Sequence, residues 1–471
     1  MNERDEFGYS SEEFLLSVKK YEEQLRNNKP LFFDLNTFED LIEYYELQGK
    51  TSRAMEAAEY AISIYPFSAS MLIKKASLLF QYRKHDEALR YLTKAESIEP
   101  SELGIFLLRA DIFLHRGKLN EAVNMIKHAM KIAEPDELSD LWLELSDVYE
   151  HTNEYSKVFD CLKSSLIIDP NNEEALNRMW YSVDLSKRHE DSIDFHQKLI
   201  DDTPYSYLAW QNLGLAFYGL KMYEKAAEAF EFVIAINETY DLAYRDCAEC
   251  FFKLANYPKA IEYYHKAIHY SQPFEDLYYC IGECYEKQKD FEKARIYFRK
   301  ALSVEPEMDI AMYRIGVTFS KEKQFHHALS FFKKAMRVNP TNTTFIVAAA
   351  KAAGSLHDIH HLLDITESLY TLSSSNKNLK AIEQVTELLL KFECLPEAKD
   401  LIATAKMLRG ENIHLTLLHS VLLFKSGSRQ HAVELLSQVL FADKSRAKLF
   451  FRLMPEMKKD NEVLRIIDIY T

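Results

Sequence analysis

The stretch 207–240, YLAWQNLGLAFYGLKMYEKAAEAFEFVIAINETY, decides the fold. Its apolar residues Trp210, Leu213 and Phe217 fall at i, i+3 and i+7, so they share one face of a helix. A break near Leu220–Met222 is followed by a second helical pattern on Ala226, Phe230 and Val233. Gly214 and Ala226 put small residues where the two helices must approach. A hairpin of this kind cannot bury its apolar faces alone, and stacking on its neighbours completes the core.

The same frame recurs along the chain. Alanine returns every 34 residues at Ala54, Ala88 and Ala122, at Ala226, Ala260, Ala294 and Ala328, and at Ala398 and Ala432. Proline keeps the same clock at Pro66 and Pro100, at Pro170 and Pro204, and at Pro306 and Pro340. The frame starts at 35–68 and slips by two residues before 139 and before 379, which makes twelve units ending at 446. Ten of the twelve carry Gly, Ala, Ser or Thr at the eighth position, Ile42 and Trp180 being the exceptions. Such an array escapes the size limit that would otherwise divide 471 residues into two or three compact domains.

The pattern W-x2-L-G-x2-F followed by A-x3-F in 207–240 resembles the tetratricopeptide repeat (TPR). So do LYYCIGECYEKQKDFEKARIYFRKALSVEP (277–306) and the closing DPNN (169–172). The resemblance implies an all-α, right-handed superhelix of about twelve helix–turn–helix repeats with terminal caps. Residues 1–34 are expected to hold an N-terminal capping helix and 35–342 nine repeats. The poorly matching 343–378 is a possible bend or boundary, and 379–471 holds further TPR-like repeats and a cap. Ser10-x-x-Glu13 reads as a capping box, followed by an apolar stripe on Phe14, Val18, Tyr21 and Leu25.

Composition agrees with a helical, well-cored chain: 47% apolar, 13% aromatic, and only 11 Gly and 12 Pro. The start MNERDEFGYS lacks a secretory pattern, and no apolar run is long enough to cross a bilayer. Six cysteines do not make a disulfide scaffold, so a cytoplasmic setting is expected. Net charge is −14, which argues against phosphate-backbone binding as the main task. Residues 343–471 carry 16 basic against 15 acidic side chains, so the acidity belongs to the first three-quarters.

Two motifs suggest metal chemistry and are better read otherwise. CAEC (Cys247, Cys250) and CIGEC (Cys280, Cys284) look like zinc pairs, but in the repeat frame Cys247, Cys250 and Cys284 fill packing sites of two first helices, and Cys280 sits at a sixth position closer to the exposed inner face. HDIHH (357–361) is similar to a zinc-protease motif, yet His357 falls at the expected inter-helix turn, so one helical face is not guaranteed. No phosphate loop or nucleophile elbow is present. No catalytic residue, cofactor or metal is expected.

The resemblance implies that positions 2, 5, 6, 9, 12 and 13 of each first helix line a concave groove. The family's carboxylate clamp of Lys, Asn and Arg is absent: Asn212 sits at a sixth position, but Asn177 and Tyr181 precede it and Leu242 and Asp246 follow. The groove positions read acidic instead. They are Asp140, Glu144, Asp147 and Glu150 in 139–172, and Arg245, Asp246, Glu249, Asp276, Tyr279, Glu283 and Glu286 in 241–308. Ordinary solubilising charge is the plain reading of these residues. The competing one is an acidic, tyrosine-bearing groove for basic extended or helical partner segments. Reversing Asp147 with Glu150, or Glu283 with Glu286, would then weaken binding without unfolding the array. The expected function is a non-catalytic protein scaffold. The alternatives are a docking or regulatory subunit of an enzyme complex and, disfavoured by charge, an RNA-binding repeat protein.

Overall fold

The computed structural model describes residues 12–27, 32–271, 274–371, 379–410 and 412–470. Ser10 of the expected capping box, the side chains of Glu13 and Leu25, and the segment LSSSNKN (372–378) lie outside the described residues. The described chain consists of 27 α-helices and two short 3-10 turns, with no strand among the described residues. Residue contacts group it into two units divided at Ile236/Asn237.

Helices follow the sequence frame closely. In the deciding stretch they run Tyr207–Gly219 and Tyr223–Ile236, and in the second unit Glu275–Lys287 and Phe291–Val304 repeat the pattern. Ser68, Asn172, Ser206 and Asn342 close their frames by accepting a backbone N–H of the next first helix, which satisfies one of its orphan donors. Every frame turns at its fifteenth position, which is left-handed with φ between 57° and 85°. The N–H of the sixteenth residue then donates to the carbonyl of the eleventh at 2.8–3.2 Å, a Schellman closure.

Glycine supplies that conformation at Gly49, Gly117 and Gly427, but nine frames use another residue, among them Ala255 with φ 58°. A left-handed residue with a Cβ costs about 1 kcal/mol. Ala255→Gly is therefore expected to stabilise the second unit by about 1 kcal/mol, read as a higher urea midpoint. A lower midpoint would refute this account of the turn.

The cores are built from the same register. All nine framing alanines, from Ala54 to Ala432, are fully buried between helices. The eighth and twenty-fourth positions pack as a complementary pair: a Cβ added at Gly214, Gly282 or Gly316 would stand 2.5–2.6 Å from the ring of Phe230, Phe298 or Phe332. Ile42, an exception in sequence, is compensated because its twenty-fourth partner is Ala58, and both are fully buried. Large and small have simply exchanged places.

Trp180 has no such compensation, since its partner position holds His196. The hairpin expected at 173–206 does not close. Helices Glu173–Ser186 and His189–Asp202 scarcely touch, the first packs on Tyr207–Gly219, and Trp180 is left 53% exposed. Two bulky side chains cannot share a site shaped for one.

In the first unit, helix Glu12–Asn27 packs Val18 and Tyr21 into the core of Phe38, Leu41 and Tyr45. In the second, one apolar core runs from Ala294 to Ile467. Helices Thr343–Leu356 and Ile359–Thr371 lie within it in the same register, and the Ala-rich run holding Ala349, Ala350, Ala352 and Ala353 is buried.

Candidate functional site

In the first unit the expected acidic positions meet an arginine from the next repeat. Arg178, at a sixth position, forms ion pairs with Asp147 and, at 3.0 Å, with Glu150; Glu174 lies 3.3 Å away on its own helix. The Tyr181 hydroxyl donates to Glu150 at 2.7 Å and accepts from Arg178 Nε at 3.3 Å. Glu144 is outside this knot. It lines, with Asp111, Asp147, Glu150, His151 and apolar side chains, a cleft of about 460 Å³. Neither Asp111 nor Glu144 forms an ion pair among the described residues. Both keep solvent contact, yet burial by the cleft walls pushes both carboxyls above their usual range, and the neighbouring Asp111 raises Glu144 further. Asp140 stands exposed on the same helix.

The second unit repeats the knot. Arg314, again a sixth position, pairs with Glu283 at 2.6 Å and Glu286 at 3.6 Å, and Lys321 donates to Glu286 at 2.8 Å. Arg314 Nε donates to the Tyr279 hydroxyl at 3.1 Å, which donates to Glu283 at 3.2 Å. Burial pushes the Tyr279 phenol up to about 12 and raises the Glu283 carboxyl, against the opposing Arg314 charge. Glu249 accepts the Tyr264 hydroxyl at 3.0 Å and pairs with Lys253 at 3.0 Å. Asp246 is half-buried, while Arg245 and Asp276 are exposed.

Five of the acidic positions read as groove charge are thus engaged within the protein. Reversing Asp147 and Glu150, or Glu283 and the 7%-exposed Glu286, would set like charges around a buried-side arginine and disturb the fold itself. Sequence reasoning passed over Arg178 and Arg314, although the signal was there. In each case a cation follows a ninth-position carboxylate by 31 residues, as Lys74 follows Glu43, and all three pairs form. Asn212, weighed as part of a clamp, is buried and donates to the carbonyls of Leu176 at 2.8 Å and Leu208 at 3.0 Å, so it fastens one repeat to the next.

Cys247, Cys250 and Cys284 are fully buried in helix packing, and burial pushes the thiols of Cys250 and Cys280 up to about 12. His357 occupies the left-handed turn, while Asp358 accepts the backbone N–H of His361 at 3.1 Å and faces its ring nitrogen at 2.6 Å. Asp358 is therefore a helix cap, not a base between two ligands. No group of three candidate metal ligands occurs among the described residues.

Family models described as "Tetratricopeptide repeat" match residues 207–240, 275–308 and 310–342. The chain is a multi-repeat TPR protein. Anaphase-promoting complex subunit 7 of Arabidopsis thaliana is 27% identical to this TPR protein over 143 residues, 30% of this chain and 25% of that one. Protein O-mannosyl-transferase TMTC1 of Homo sapiens is 21% identical over 174 residues, 36% of this chain and 19% of that one. The TPR chain therefore spans a quarter or less of the length of these curated relatives. A chain in the crystal structure of the APC/C hetero-tetramer Cut9-Hcn1 covers 83% of this one, with 97% of its own length matched, at 12% identity and a TM-score of 0.35. At that score the likeness adds nothing to the assignment. No described helix is long and apolar enough to cross a membrane.

Proposed function

We propose that this TPR protein is a non-catalytic scaffold, cytoplasmic in setting, and that a basic partner segment engages the cleft of Asp111, Glu144, Asp147 and Glu150. The observation that carries this reading is the pair Asp111 and Glu144: two carboxylates in one cleft, without ion pairs among the described residues and with raised pKa. A Lys or Arg side chain entering there would relieve their mutual repulsion and leave the Arg178 knot intact. A concave acidic surface also concentrates cations better than the same charges on a convex one. Arg245, Asp246, Glu249, Asp276, Tyr279, Glu283 and Glu286 remain candidate contacts in the second unit, at the edges of a network that is already paired. A role as a docking subunit in a larger assembly draws on the relative that is a complex subunit.

The test uses the full chain and a labelled Lys-rich helical peptide, followed by fluorescence anisotropy. Asp111→Asn with Glu144→Gln is expected to weaken binding about fivefold, since each exposed pair contributes up to about 1 kcal/mol. Raising salt from 0.1 M to 1 M, where the screening length falls to about 3 Å, is expected to weaken it further. Equal binding by the variant, or indifference to salt, would refute the cleft as the site.

A further inference from the structure

Three successive repeats of the second unit carry a basic dipeptide at the same two positions of their second helices. His265–Lys266, Arg299–Lys300 and Lys333–Lys334 are the twenty-fifth and twenty-sixth residues of their frames, each 34 residues after the last. Lys259, Lys293 and His327 share the nineteenth position, and His269 and Arg337 the twenty-ninth. Helices Tyr257–Tyr270, Phe291–Val304 and Phe325–Val338 together hold nine Lys or Arg against two Glu, a net of +7 in a chain of −14. The first helices of the same repeats, Asp241–Lys253, Glu275–Lys287 and Asp309–Lys321, hold five basic against eight acidic residues. Charge is therefore segregated between the two helix layers of these three repeats.

The rungs sit side by side. The Tyr297 hydroxyl lies 3.1 Å from His265 Nε2, and burial, with the Lys300 charge adding to it, lowers the His265 pKa. Most of the ladder's charges have no carboxylate partner among the described residues. Lys266 is tied to Glu262, Lys293 to Asp290 and Arg295 to Glu322. Arg299, Lys300, Lys333, Lys334 and Arg337 form no ion pair among the described residues, and all except the half-buried Lys333 are exposed.

We infer that this ladder is a second docking surface, for an acidic protein segment. The inference rests on the scaffold reading above but uses a different face and the opposite charge. Two features select a protein over a nucleic acid. Faces of the ladder's tyrosines are already covered: Tyr297 stacks on Tyr285 at 5.4 Å, and Lys300 lies 4.5 Å from the Tyr297 centroid and 5.8 Å from that of Tyr278. Rings so covered offer no platform for base stacking. The rung spacing suits a helix as well. The His265 and Tyr297 rings bridge two neighbouring rungs with centroids 5.7 Å apart, and seven residues of a partner helix rise about 10.5 Å, within the combined reach of long side chains from two rungs. Carboxylates one heptad apart would then meet successive rungs, with Arg299 able to bind one in a two-pronged fashion.

The experiment uses the full chain and three labelled probes at 0.15 M salt: a three-heptad helical peptide with Glu at heptad spacing, the same composition with Glu spaced irregularly, and an oligouridylate. The heptad peptide is expected to bind tightest. Combined Arg299→Glu, Lys300→Glu, Lys333→Glu and Lys334→Glu is expected to weaken it at least about tenfold, given several pairs of up to about 1 kcal/mol each. Lys127→Glu with Lys131→Glu, exposed lysines of the first unit, is expected to leave it unchanged. Circular dichroism checks that the variants remain helical, and if the fourfold variant does not fold, Lys300→Glu with Lys334→Glu is read in its place. Tighter binding of the oligouridylate, equal binding of the two peptides, or indifference to the reversals would each overturn the inference. The basic-peptide result at Asp111 and Glu144 is independent, so failure here leaves the cleft reading standing and failure there leaves the ladder standing.

Discussion

Gly282→Ile is expected to destabilise the second unit by about 2–3 kcal/mol, and Phe298→Ala in the same chain is expected to restore much of that loss. The site is closed: a Cβ on Gly282 would lie 2.6 Å from the Phe298 ring, which is itself fully buried. Overpacking alone costs about 1–3 kcal/mol, and the helix preference of any residue over glycine offsets at most about 1 kcal/mol. An isoleucine adds three further carbons to a space already short for one. Phe298→Ala by itself leaves a cavity and costs about 3–5 kcal/mol. The first repeat shows that the exchange is tolerated, because Ile42 faces Ala58 there with both side chains fully buried. The double variant reproduces that pair and is expected to be more stable than either single variant, a strong negative departure from additivity. Urea unfolding followed by helix signal, with amide exchange in helices Glu275–Lys287 and Phe291–Val304, measures it. Additive losses would show that the eighth and twenty-fourth positions are not one shared volume.

This pairing marks how far the sequence could be read. The alanine clock and the turn positions were plain because burial and chain reversal impose residue types on a single helix, and each framing alanine is indeed fully buried. The cysteines were readable for the same reason, since Cys247, Cys250 and Cys284 take small apolar sites. What escaped depends on two residues from different helices. Trp180 was visible as an exception, but the opening of its hairpin follows from His196 standing opposite, sixteen residues later. Ile42 was an equal exception and does no damage.

The candidate site was legible in the sign of its charge and not in its state. The first-helix positions expected to line a groove carry carboxylates, yet the pattern on one helix does not reveal that Arg178 and Arg314 pair with the ninth and twelfth positions of the helix before. Asp111 was overlooked because it lies one repeat earlier than the acidic set, although it shares the cleft with Glu144. Periodicity reports faces. Which carboxylates remain uncommitted is decided by contacts 28 to 35 residues apart.

Acid is expected to destabilise the first unit through His196, by about 3 kcal/mol between pH 6.5 and 4. The imidazole is fully buried in the repeat whose hairpin is open. Its Nδ1 lies 2.8 Å from the Ser192 carbonyl, so Nδ1 carries the proton and donates. Nε2 is left as a buried acceptor without a partner. Burial in these surroundings disfavours the imidazolium and lowers the pKa to about 4, with the Ser192 carbonyl opposing only in part. The unfolded chain, with an ordinary histidine pKa of about 6.5, takes up the proton first. This contribution is therefore complete above about pH 6.5 and is lost as pH falls towards 4, at about 1.4 kcal/mol for each pH unit. His196→Phe places at the twenty-fourth position the residue that Phe230, Phe298 and Phe332 supply in other repeats, and it cannot titrate. Carboxylate titration is common to both proteins and cancels in their difference. The stability gap between variant and native chain, from urea unfolding at successive pH values, is expected to widen in the variant's favour by about 3 kcal/mol across that window. A gap that stays constant from pH 7 to 4 would mean that the His196 imidazolium is accommodated in the folded protein, through water or a carboxylate reaching Nε2.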